Sequence, residues 1–154
     1  MAQATFGLIS TAARLSYLPF RAMEQMLLGR RQPLHGHPRD VGLPSEDVAF
    51  PSADGVPLRG WFLPQEGTRE RRPTVVFVHG WPWNRLGNRA GGMPFPDRGV
   101  QFLVPAKALH AAGFQVLLFD LRNHGESGAA LPVTNGLNEA RVEAISRNAG
   151  QRSA

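Results

Sequence analysis

The chain has 154 residues, 42% of them hydrophobic and 19% charged, with a formal net charge of +5. That length and balance describe a globular domain with a core and exclude a disordered or fibrous chain. It contains no cysteine, which excludes disulfides and thiolate metal sites. The base is nearly all arginine, Lys107 being the single lysine, and it is scattered apart from Arg30-Arg31 and Arg69, Arg71 and Arg72. No basic helix is interleaved with aromatics, so the charge reads as a solvated surface and not as a nucleic-acid footprint.

Residues 1–29 carry a helical pattern in two pieces. Phe6, Ile9, Ala13 and Tyr17 share one face, with Leu8, Ala12 and Leu15 beside it. Pro19 interrupts, because proline supplies no interior N–H and crowds the preceding turn. Phe20, Met23, Met26 and Leu27 continue the apolar face, and Gly29 is a stop signal. Arg14 and Arg21 break the apolar stretch short of the ~20 residues that span a bilayer. No positive segment precedes it, as a secretory signal requires. Two placements stay open: packing on the body of the domain, or lying in a membrane interface with the arginines toward headgroups.

Residues 30–45 read as a surface linker, with Pro33, Gly36, Pro38, Gly42 and Pro44. His35 and His37 have no third ligand nearby, so no metal is expected. Residues 46–50 and 56–63 predict antiparallel strands about a Ser52-Ala53-Asp54-Gly55 turn, where Gly55 takes positive φ. Residues 65–72 form a polar loop. The apolar run Thr74-Val75-Val76-Phe77-Val78 follows and breaks into His79-Gly80-Trp81. Residues 81–99, rich in glycine and proline, predict a long loop that overhangs whatever lies at this end. A helix is expected over 105–112, with Pro105 in its first turn, Gly113 past its end, and Leu109 and Ala112 toward the sheet. A second apolar run, Gln115-Val116-Leu117-Leu118-Phe119, ends in Asp120-Leu121-Arg122-Asn123-His124-Gly125-Glu126-Ser127. By pattern a further helix is expected to begin within 134–147, capped by Asn135 or Asn138, and 142–154 read as a tail. There is no internal repeat.

The two apolar runs suit parallel strands buried on both faces. Each ends in polar and glycine residues, and in open α/β sheets the carboxyl edge carries ligands and chemistry. The strand into His79-Gly80-Trp81, the strand into Asp120-x-Arg122-x-x-Gly125-x-Ser127, and the helix between them resemble the N-terminal part of the α/β-hydrolase family. Asp54-Gly55-Val56-Pro57-Leu58-Arg59-Gly60-Trp61-Phe62 resembles that family's hairpin and second strand. The resemblance implies an α/β fold: an N-terminal hairpin plus the first parallel strands of an α/β-hydrolase sheet, with a helical leader. It divides the chain into leader and linker (1–45), partial hydrolase domain (46–141) and tail (142–154). It also implies a strand order with 115–119 between 56–63 and 74–78. That order leaves 74–78 as an open edge without lysine, proline or bulge, so self-association is expected.

The family hydrolyses esters or amides with a serine nucleophile, and the resemblance places an oxyanion-hole backbone N–H at Trp81, after His79 and Gly80. The nucleophile belongs in Gly-x-Ser-x-Gly. No serine here has both glycines; Ser127 has Gly125 before it and Ala129 after. Nucleophile, acid and histidine are therefore expected beyond residue 154, and the chain is expected to be inactive alone. Asp120, His124 and Ser127 invite a compact triad. Side chains so close in sequence bond more naturally to their own backbone, and a triad needs separate rigid elements. Arg122 and Glu126 read as an ion pair or as solvated. No Gly-x-Gly-x-x-Gly follows a strand, so no cofactor is expected. Rival readings are a hydrolase using Ser127 and a non-enzymatic fragment bound to a membrane or partner. The expected location is cytoplasmic or peripheral to the membrane.

Overall fold

Four strands build one mixed sheet in the order β1-β2-β6-β3. They are β1 (Glu46–Pro51), β2 (Pro57–Leu63), β3 (Thr74–Phe77) and β6 (Gln115–Phe119). The structure, a computed structural model, describes residues 20, 23–24, 26–28, 31–67, 72–89 and 98–133. Most of the leader pattern, the helix expected over 134–147 and the tail lie outside the described residues.

The β1–β2 hairpin forms as its turn residues dictate. Gly55 takes φ 82°, Ser52 N–H donates to Val56 O at 2.8 Å, and Gly55 N–H donates to Ser52 O at 2.9 Å. β2 runs antiparallel to β6, and β3 runs parallel to it, pairing Val75 with Val116 and Phe77 with Leu118. Gly60 permits the close approach of β2 to β6. A Cβ there would meet Leu118 O at 2.6 Å and Phe119 Cβ at 2.8 Å.

β6 is the buried centre, all five residues covered. Its alternation divides the core. Val116 and Leu118 join Leu43, Leu63, Leu103 and Ala106 in one cluster, and Leu117 and Phe119 join Leu58 in another. The first cluster lies under helix α1 (Leu103–Ala111). The second is closed by Val48, Phe50, Phe62 and Leu121, with the Phe50 and Phe119 rings 5.6 Å apart. β3 departs from the expectation of burial on both faces. It stands at the sheet's end, with Val76 39% exposed. Val75 and Phe77 are half-buried on one face and Thr74 and Val76 exposed on the other, so only one face of the strand is covered.

Three local expectations are corrected. Residues 31–45 are not a surface loop throughout. Pro38–Val41 form a 3-10 helix capped by His37, whose Nδ1 accepts the Arg39 N–H at 3.2 Å, and Leu43 enters the core. Helix α1 starts at Leu103, so Pro105 still falls in its first turn. Leu103 and Ala106 face the core, with Leu109 packed against it, whereas Ala112 is exposed. The loop after Trp81 contributes to a second sheet, in which β4 (Gly87–Asn88) pairs with β5 (Val100–Gln101). Packing on the body is one of the two placements left open for the leader; Phe20, Met23, Met26, Leu27 and Leu28, all helical, are about half exposed or more.

Candidate functional site

Parallel pairing of β3 and β6 brings their carboxyl ends to one edge of the sheet, with Phe77 opposite Leu118. His79-Gly80-Trp81 leaves β3 there, and Asp120 to Ser127 leaves β6 beside it. Two clamps join these loops.

The first clamp is His79. Its Nε2 accepts the Leu121 N–H at 3.0 Å, which puts the ring proton on Nδ1, 2.9 Å from Gly80 O. Both nitrogens are thereby used by a neutral imidazole. Burial pushes the His79 pKa down to about 4, with His124 adding to the shift and the Gly80 bond opposing it. The His124 ring stands edge-on, 5.0 Å between centroids, and its Nδ1 lies 2.8 Å from Arg122 O.

The second clamp is Arg85, which no motif marked. Its backbone N–H donates to Asp120 Oδ1 at 2.7 Å, and its Nη1 lies 3.3 Å from Asp120 Oδ2. Nη2 bonds Glu126, and the guanidinium lies 4.0 Å over the Trp61 ring. Asp120 is fully buried and also accepts the Glu126 N–H at 2.9 Å. Burial raises the Asp120 pKa, while the Glu126 and Arg85 N–H donors and the Arg85 charge pull the other way. Gly125 closes the cradle. It takes φ 44°, and a Cβ there would overlap the Asp120 carboxylate. The signal for Arg85 was indirect. A carboxylate at a strand's buried end needs a cation, but the sequence does not say which arginine arrives.

Arg122 and Glu126 do not pair with each other. Arg122 bonds Asp54 and Ala130 O, tying the loop to the β1–β2 turn, and Glu126 goes to Arg85. The Ser52 hydroxyl, and after it the Arg122 charge, hold the Asp54 carboxyl below its usual range. Ser127 is buried. Its hydroxyl donates to Asp120 O at 2.6 Å and accepts the Arg59 N–H at 2.9 Å, so it stitches the loop to β2. Asn123, at φ 66°, accepts the Ala130 N–H at 2.7 Å and donates back to Ala130 O at 3.1 Å. Within the segment from Asp120 to Ala130, the Asp120, Asn123, His124 and Ser127 side chains also bond its own backbone groups.

His37 has its own task. Besides capping the 3-10 helix, its ring meets Trp61 at 4.9 Å. Among the described residues, no group of three or more His, Cys, Asp or Glu is placed to hold a metal.

No family model matches the chain, and no curated protein matches it. Solved structures do. The Pyrococcus furiosus esterase Pf2001 aligns with 75% of this chain at 26% identity, with a TM-score of 0.56. A second crystal form of it aligns with 68% at the same 26% identity, with a TM-score of 0.50. The α/β-hydrolase GrgF from Penicillium aligns with 56% at 28% identity, with a TM-score of 0.41. The chain spans 38% and 34% of the length of the two esterase structures and 25% of GrgF. The sheet is a partial α/β-hydrolase fold, and the likeness relates the chain to esterases and α/β-hydrolases.

Proposed function

We propose that this chain forms the oxyanion-side part of a serine hydrolase of ester or amide bonds and does not hydrolyse them by itself. One observation carries the reading. The loop His79-Gly80-Trp81 is locked to the loop after β6 by the His79–Leu121 bond, at the carboxyl edge of two parallel strands. A backbone N–H held rigidly there can stabilise a developing oxyanion, because its dipole need not reorganise during reaction. Trp81 supplies that N–H. The reaction also needs a nucleophile, and these 154 residues contain no Gly-x-Ser-x-Gly. Ser127 is poorly suited to the role, since it is buried and its hydroxyl already both donates and accepts.

A serine-directed fluorophosphonate probe tests this. The chain should remain unlabelled and should not turn over p-nitrophenyl acetate. A hybrid in which residues 1–133 precede the corresponding remainder of the Pyrococcus esterase should label at the esterase's serine. Labelling of the unmodified chain at Ser127, abolished by Ser127→Ala, would overturn the proposal.

A further inference from the structure

Phe20, Met23 and Leu27 fall on one face of a helix by their spacing, and they are 65%, 53% and 48% exposed. Met26 and Leu28 beside them are also exposed. Large apolar side chains clustered in water mark an interaction surface. The stretch is anchored at its end. Val133 N–H donates to Leu27 O at 2.9 Å, and Leu131, two residues earlier, is exposed as well. Arg31 Nη1 donates to Gly125 O at 3.2 Å. The two bonds tie Leu27 and Arg31 to the segment that follows β6.

Charge selects the occupant. Residues 1–31 contain Arg14, Arg21, Arg30 and Arg31 against the single acid Glu24. An apolar helical face within a stretch whose sequence is rich in arginine suits an anionic bilayer surface, where apolar side chains enter the acyl boundary and guanidinium groups meet phosphates. Among the described residues, no helix is long and apolar enough to cross a membrane. We infer that Phe20, Met23, Met26, Leu27 and Leu28 dock the chain on an anionic lipid surface. The inference is independent of the hydrolase reading.

Flotation of the full chain with phosphatidylcholine vesicles, with and without phosphatidylglycerol, tests it. The chain should float with the anionic vesicles, less so with neutral ones, and less as salt screens the arginines. Met23→Glu combined with Leu27→Glu should lower partitioning by about a hundredfold, since two apolar side chains leave the acyl boundary. Both positions are exposed, so the variant should keep the parent's unfolding transition, which is measured alongside. Failure of the parent to float with anionic vesicles would overturn the inference. So would equal flotation of parent and variant. A dimer that the double variant dissociates, with no flotation of either protein, would assign the face to a second copy instead.

Discussion

Asp120 sets the terms for its neighbours at the residue scale. A carboxylate with no exposure must be paired, and Arg85 is the cation that reaches it. Replacing a buried pair by apolar groups is often tolerated, whereas removing one partner strands the other. Arg85→Ala should therefore cost about 3–5 kcal/mol in urea unfolding, and Arg85→Met with Asp120→Leu should recover much of that loss. A double variant no better than Arg85→Ala would show that the Arg85 contacts to Glu126 and Trp61 matter more. His79 carries the pH dependence. Its folded pKa of about 4 lies below the ordinary 6.5, so between those values the unfolded chain binds a proton that the folded chain refuses. The stabilisation is complete above pH 6.5 and is lost as pH falls toward 4, by about 3 kcal/mol in all. Asp120, raised by burial, has the opposite sign: its contribution falls as pH climbs from 3.8 toward its folded value. The His79 effect is isolated by comparing unfolding of the parent and His79→Gln across pH 4–6.5. The variant should have the flatter profile, and parallel profiles would exclude a buried neutral imidazole.

The elements divide by how local their causes are. Both strands of the hairpin, the turn with positive φ at Gly55, and the run of Gln115–Phe119 were legible because their signals are local: turn chemistry and unbroken apolar residues. The strand order followed from resemblance and is the order found. The start of α1 was misplaced because Phe102, at its N-cap, makes no side-chain cap hydrogen bond. The β4–β5 pairing was hidden because two-residue strands have no period to read. At the site, the positions of His79 and Asp120 were legible from the strand ends that carry them. Their partners Leu121 and Arg85 are set by the tertiary fold, 42 and 35 residues away. Arg122 shows the same limit, since its partner is the distant Asp54 and not Asp120 or Glu126 of its own loop. The leader gives a test at this scale. A leader packed on the body would make Leu27→Asp strongly destabilising. Because Leu27 is exposed, the change should stay within about 0.5 kcal/mol of the parent in chemical unfolding. A larger loss would place Leu27 in a packed interface.

The whole molecule is asymmetric at its two sheet edges. β1 carries Glu46 and Asp47 and ends at Pro51, and charge and proline both discourage another strand from adding. β3 carries Thr74, Val75, Val76 and Phe77, with none of these devices. Its inner side pairs with β6, and among the described residues no strand pairs with its outer side. Val76 and Val78 are exposed. A strand edge of this kind offers N–H and C=O groups in the geometry of a ladder, and β-branched side chains suit the pleat of an added strand. The isolated chain should therefore self-associate through β3 at concentrations on the order of tens of micromolar. Val76→Lys should reduce that association at little cost to the fold, because the side chain is already partly in water and its charge must be buried if a second strand adds. Sedimentation velocity on parent and variant decides it. A larger species in the parent that shrinks in Val76→Lys supports the contact. A monomeric parent that unfolds cooperatively, or a larger species indifferent to the lysine, would mean that β3 is not the contact.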